Sequence, residues 1–448
     1  MDSFIKSASS FFDRPGLNWK AIILGFTAAS FCFDSYLKYR QIKKVASVKE
    51  VPLQIKGKID NDTLLKSTSY SLTKSKFTLV TSFYSLVQNV LFFKFDILPK
   101  LWSGASWLAT SSIVPAVLSG SIITKSLFFV GQMSLISFFL NLPTDWYFNF
   151  VIEEKYGFNK LTYKLWFTDS LKELAVMAAF GGPILAGFLK IIDYFGDKFM
   201  YYLSVFLFFV QIFMIIVYPK FIQPLFNKVE PLEDGELKLQ IEKLAQKNKF
   251  PLDKVLVIDG SKRSSHSNAY FLGLPWGSKQ IVIYDTLIAS SKIEEVVAVL
   301  GHEIGHWALS HTTKMLAINQ IHIFGIFTMF AAFVNNKSLY QSLGFFKEQP
   351  IIVGFLLFGD ILKPVDTVLE FAMNLLSRKH EYEADKFAAE LGYSEELKAA
   401  LIELHKGNLS SLDVDWLYSA YTYSHPHLIE RLNHIDQVEK ENPHKKLD

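Results

Sequence analysis

The sequence predicts a mostly α protein whose helices cross a membrane several times. Three observations carry this prediction. Hydrophobic residues make up 50% of the 448 residues and charged residues only 20%, where soluble domains average about 25% charged. Seven apolar stretches approach the ~20 residues that a helix needs to span a bilayer. The remaining charges gather between those stretches, above all in segment 38–76. This composition excludes disorder, collagen and coiled coil. A net charge of +3 is too small to argue for a nucleic-acid partner. The single cysteine, Cys32, excludes an intrachain disulfide and any cysteine-based metal site. The lipid bilayer is thus the partner that composition names; it leaves the oligomeric state open.

The seven expected spans cover residues 19–37, 77–98, 121–142, 174–192, 200–217, 315–334 and 351–376. The first reads as a span rather than a cleavable signal, because it is long and its flank (Lys6, Arg14, Lys20) is only mildly basic. Orientation follows from loop charge. Segment 38–76 carries ten basic residues and three acidic ones, so the positive-inside rule assigns it to the cytosol. The N-terminus is then lumenal, and residues 143–170, 218–314 and everything after 376 are cytosolic. Several spans carry polar side chains. Asp360, Lys363, Asp366 and Glu370 recur every three or four residues and so share one helical face. Asn319 with His322, and Lys125 with Gln132, are further cases. Such groups either bond between helices or line an aqueous chamber, and spacing alone does not choose.

The chemistry concentrates in Gly301-His302-Glu303-Ile304-Gly305-His306. This is H-E-x-x-H. Histidines at i and i+4 leave one side of a helix and can share one Zn²⁺. Glu303, one residue on, reaches the attacking water rather than the ion, as a general base does. A chance match is expected in about three of a hundred chains of this composition. Gly301 and Gly305 lower helix propensity but let another element approach closely. A catalytic zinc usually has three protein ligands, and His311 is out of phase to be the third. The segment Arg378-Lys379-His380-Glu381-Tyr382-Glu383-Ala384-Asp385 supplies candidates. Glu381 and Asp385 share a helical face; Glu381 would bind the ion and Asp385 would hold a histidine ligand by its other nitrogen. His380 is the alternative ligand, and Glu383 should point to solvent. Two spans separate the segments, so the chain returns to the same face. The expected organisation is 1–219, five spans with cytosolic loops; 220–314, the cytosolic zinc-motif part; 315–376, two spans; and 377–448, the cytosolic part bearing the third ligand.

At these motifs the sequence resembles the type I CAAX prenyl endopeptidases. The resemblance rests on residues 150–160 (FVIEEKYGFNK) and 267–271 (SNAYF), the His302 motif, Glu381 to Asp385, and residues 425–432 (HPHLIERL). It implies a gluzincin-type zinc metalloprotease domain on the cytosolic side of a seven-span bundle enclosing a chamber. It implies removal of the last three residues of prenylated C-a-a-X proteins and, in fungi, maturation of a prenylated mating pheromone. It implies residence in the endoplasmic reticulum and inner nuclear membrane, and it brings His425 and Arg431 near the metal, bonded to the oxyanion or substrate backbone. In such families Asp385 is also cast as a proton donor.

Residues 268–274, 275–278 and 279–286 read as strand, turn, strand, from apolar alternation around a Pro/Gly turn. An edge strand here could take the substrate as an added strand, which makes Asn268, Ala269 and Tyr270 candidate substrate contacts; a purely structural hairpin is the competing reading. The 41 phenylalanines could line a prenyl site or face lipid. Lys445-Lys446-Leu447-Asp448 resembles a dilysine retrieval signal. Two other functions fit parts of the sequence. One is a membrane quality-control protease clearing misfolded or translocon-stalled chains; the other is a channel or transporter with an incidental zinc motif.

Overall fold

The expected spans are largely helical in the computed structural model, which describes residues 2–441; 77–98 runs past a helix end at Lys94 through a turn at Phe95–Asp96, and 315–334 runs past a helix end at Phe330. The helices are Trp19–Ser47, Asn61–Lys94, Ile122–Tyr147, Tyr163–Val176 continuing through a π-turn into Gly182–Phe195, Phe199–Val217, His311–Phe330 and Ile351–Ala388. Side-chain caps start the first three: Asn18, Asp60 and Ser121 accept from the amides of Ala21, Thr63 and Thr124. By length and composition alone, two helical runs among the described residues are membrane-crossing candidates, Ile122–Glu153 and Tyr163–Phe226, with mean hydropathy of 1.5 and 2.3 in their most apolar windows. Only 17% of each window is buried, the outward apolar surface a lipid solvent favours. The terminal Lys445–Lys446 pair lies outside the described residues.

Burial along these helices is uneven. The first is buried at Trp19, Ile23 and Thr27 and again at Leu37, with nothing buried between. The same pattern recurs between Tyr70 and Phe93, Leu203 and Val217, His311 and Phe327, and Leu362 and Arg378. One core cluster joins Trp19, Phe93, Phe129, Phe330 and Phe358. These sit alternately at the starts and ends of successive helices, so they mark one end of the bundle. The His302 motif and Glu381 lie at the other. Polar groups in the expected spans are in part bonded. Asp360 and Lys363 pair at 2.8 Å and Lys125 pairs with Glu348 at 3.2 Å, while Gln320 donates to Gln211 at 2.8 Å.

The second end carries a four-stranded sheet of order β1-β2-β4-β3, with β1 (Val229–Pro231), β2 (Leu252–Ile258), β3 (Ala269–Leu272) and β4 (Lys279–Tyr284). β2 and β4 run parallel and the other pairs antiparallel. β3 and β4 form the expected hairpin, and β3 is an edge. Buried Lys279 fastens the turn by donating to the Leu274 and Gly277 carbonyls. The sheet packs on the helix Ile293–Ala308 through Val296, Val297, Leu300 and Ile304. Segment 38–76 is part of this half rather than a plain linker. Ile55, Ile59 and Leu64 share a core with Ala298, Ala388 and Leu428, and Arg40 grips both carboxylate oxygens of Asp415 at 2.9 and 3.0 Å.

Candidate metal centre

The helix Ile293–Ala308 buries its apolar face on the sheet and so fixes where its histidines point. Gly305 sets the second wall. A methyl group there would meet the Ala384 backbone at 3.2 Å and Phe387 at 3.1 Å, so only glycine lets the long helix Ile351–Ala388 approach this closely. Gly301 is less constrained, with 3.7 Å to Ala388. The approach brings Glu381 between the histidines: its Oε2 is 3.4 Å from His302 Nε2 and its Oε1 3.2 Å from His306 Nε2. The two Nε2 atoms are 3.1 Å apart.

His302 Nδ1 lies 2.8 Å from Asp385 Oδ1. Asp385 is fully buried and clasped by Arg431, Nε to Oδ2 at 2.9 Å and Nη2 to Oδ1 at 2.6 Å. A carboxylate only accepts, so this contact takes the Nδ1–H of His302 and leaves Nε2 with a lone pair. The His302 Nε2 lone pair, His306 Nε2 and a carboxylate whose Oε2 is buried without a hydrogen-bond partner therefore converge on one point. That donor set fits Zn²⁺. Electrostatics agree. Burial alone would lower His302, but the neighbouring carboxylates of Asp385 and Glu381 outweigh it and push its pKa up to about 9; the field at this point favours a cation, whether a proton or a metal ion. Burial would raise Glu381, yet the neighbouring His302 and His306 hold it far below the usual carboxylate range. Burial likewise opposes ionisation of Asp385, and the Arg431 charge brings it down to about 2. Glu303 stands apart: half-buried beside the histidines, its carboxyl is pushed up chiefly by burial.

The remaining sequence candidates divide. His425 Nε2 approaches Glu381 Oε1 at 3.4 Å with its side chain 64% exposed, so it reaches the open side of the centre. Arg431 is committed to Asp385, with Nη1 3.6 Å from Glu381, and it does not pair with Glu430. Glu430 instead bonds Arg378 at 2.7 Å and accepts from the His427 amide at 2.8 Å. β3 packs against the zinc-motif helix. The Asn268 carbonyl accepts from Tyr284 N–H at 3.1 Å, so by ladder alternation the outward main-chain groups are those of Ala269 and Phe271. The Ala269 amide is bonded to Asn268 Oδ1 at 2.8 Å, and the Tyr270 hydroxyl takes a bond from Gln223 at 2.9 Å.

Sequence reasoning missed three groups. Glu383 is not simply solvated: its Oε2 lies 2.9 Å from His311 Nε2. His380 is not in the ligand set; it stacks on His311 with ring centroids 4.1 Å apart. Buried Glu153 bonds Tyr70 and His266, tying the bundle to the sheet domain. Only the spacing of His311 and the carboxylates around Glu381 could have hinted at the first two.

Comparison with known proteins identifies the family. Residues 41–228 match a family model described as CAAX prenyl protease N-terminal, five membrane helices, and residues 231–439 match peptidase family M48. The chain is 48% identical over 440 residues to CAAX prenyl protease 1 of Saccharomyces cerevisiae, covering 95% of this chain and 97% of that one. It is 43% identical over 431 residues to the probable CAAX prenyl protease 1 of Schizosaccharomyces pombe, covering 95% and 90%. The crystal structure of S. mikatae Ste24p superposes with a TM-score of 0.89 at 49% identity, covering 95% of this chain and all of that one. The chain therefore belongs to the CAAX prenyl protease 1 family, membrane metalloproteases of peptidase family M48.

Proposed function

We propose that the chain is a zinc endopeptidase that removes the last three residues of prenylated C-a-a-X proteins, and that in a fungal cell it also matures a prenylated mating pheromone. The convergence of His302, His306 and Glu381 carries this reading. These three residues would hold the ion, which when bound supplies Lewis-acid chemistry, polarising the scissile carbonyl and acidifying water. Glu303 takes the proton of the attacking water on its carboxylate and delivers a proton to the leaving amine. Its raised pKa makes it a stronger base than an ordinary carboxylate. His425, on the open side, donates to the developing oxyanion. Arg431 faces the buried side and holds Asp385, which in turn fixes His302; this argues for a positioning role and against direct contact with the substrate. The edge of β3, through Ala269 with the exposed Asn268 and the neighbouring Tyr270, receives the peptide as an added strand.

The polar groups in the unburied middle of the helix Ile351–Ala388 support a water-filled chamber between the two packed ends. Glu370 lies exposed in such a middle, where a charge requires water rather than lipid. The seven-span topology, with a lumenal N-terminus and a cytosolic active site in the endoplasmic reticulum or inner nuclear membrane, rests on the basic segment 38–76. The decisive experiment compares cleavage of a farnesylated C-a-a-X peptide with its unprenylated twin by the purified protein. Strong preference for the farnesylated peptide is expected; equal rates would favour a quality-control protease.

A further inference from the structure

Behind His306 lies a second group with metal-ligand chemistry: His311, His380 and Glu383, whose donor atoms are within 4.8 Å of one another. Ring geometry argues against an ion among them. His311 and His380 stack with planes 11° from parallel and centroids 4.1 Å apart. An imidazole binds metal through a lone pair in its own plane, and two stacked planes cannot aim at one ion. Both nitrogens of His311 are also engaged, Nδ1 at 3.0 Å from His306 Nδ1 and Nε2 at 2.9 Å from Glu383 Oε2. A neutral imidazole offers one donor and one acceptor, and a carboxylate only accepts. Glu383 therefore takes the Nε2–H of His311, and His311 Nδ1 is left to accept the Nδ1–H of His306. That leaves His306 Nε2 as a lone pair directed at the ligand point.

We infer that His311 and Glu383 are positioning residues that act through His306, fixing its tautomer and ring angle for metal as Asp385 does for His302. The inference rests on reading His302, His306 and Glu381 as the ligands. The backbone is arranged for it. Ser310 adopts a left-handed conformation, φ 58°, that breaks the helix after Ala308 and starts the next one at His311. The turn folds His311 under His306, where it is 2% exposed. His380 supplies the stacked face beneath it, and Lys379 stands 3.8 Å from the other oxygen of Glu383.

The test uses the full chain in detergent. Zinc is stripped and its dissociation constant measured by competition with a chromophoric chelator, and thermal unfolding of the stripped protein is followed in parallel. His311→Leu and Glu383→Ala are each expected to weaken zinc binding about 10–100-fold with unfolding of the stripped protein unchanged. His311→Asn, whose Oδ1 can accept from His306 Nδ1–H, should recover most of the affinity. If His311→Leu fails to fold, Glu383→Ala, at a 38% exposed side chain, carries the test alone. Wild-type affinity in the variants that fold overturns the inference. So does a second zinc equivalent in the wild type that vanishes in Glu383→Ala, which would make the cluster a metal site in its own right. His302→Ala separates the two layers. If it keeps zinc, the ligand assignment fails; if it loses zinc while Glu383→Ala binds normally, only the positioning role fails.

Discussion

The two halves of the molecule treat polar groups in opposite ways. Around His302, charged groups are buried and interlocked: Asp385 is 0% exposed and Arg431 and Glu381 nearly so, and each contacts at least one other. In the spans, Asp360 and Lys363 pair while 27% and 35% exposed, and the helices bury side chains only toward their ends. The difference separates two tasks. Catalytic groups must be held within fractions of an ångström, which calls for dense packing and fully engaged hydrogen bonds. The proposed chamber for prenylated chains requires space and needs few fixed contacts.

The largest effect that sharpens this contrast should come from Glu303→Gln. It keeps the shape and the metal ligands, so zinc content should be unchanged while kcat falls about 10²–10⁴-fold. Full activity would remove the base from the account. The wild-type pH profile is linked to it. The base works deprotonated, so kcat/KM should fall as pH drops through its pKa; because burial raises that pKa from 4.5, the acid limb should lie above pH 4.5. Next is Arg431→Ala, which leaves Asp385 buried without its partner. Loss of one member of a buried pair destabilises by about 3–5 kcal/mol, visible as a lower unfolding temperature. A Gly305→Ala change should cost about 1–3 kcal/mol by overpacking against Ala384 and Phe387 and should weaken zinc binding, because it moves Glu381 away from the histidines; unchanged zinc affinity would mean the helices can part without consequence. The smallest effect should be Lys363→Met. If water screens that pair, its loss changes stability by about 1 kcal/mol or less. A loss of several kcal/mol would mean a dry interior and would break the comparison.

Much of the centre could be read directly from the chain because it depends on local periodicity. His302 with His306, and Glu381 with Asp385, are each one helical turn apart, and the return of the chain through the helices His311–Phe330 and Ile351–Ala388 brings the pairs together. The hairpin was equally legible from its turn residues. What stayed hidden depends on contacts between distant segments. Glu383 and His311 are 72 residues apart, and no spacing rule links them. Ile55, Ile59 and Leu64 lie in a segment whose basic charge reads as a cytosolic loop, and only the fold reveals their place in the core beside Ala388 and Leu428. Arg431 was expected near the metal only from the family resemblance, and which way it faces is set by Asp385, 46 positions earlier. For the span charges, an interhelical bond and a wet wall call for the same residues on the same face, so the periodicity alone could not distinguish them.

Zinc content of the purified protein, measured by mass spectrometry in wild type, His302→Ala and Glu381→Ala, tests the central claim most directly. About one zinc per chain is expected in the wild type, with little in either variant. A full equivalent of zinc retained by Glu381→Ala would contradict the account, because the third ligand would then lie elsewhere.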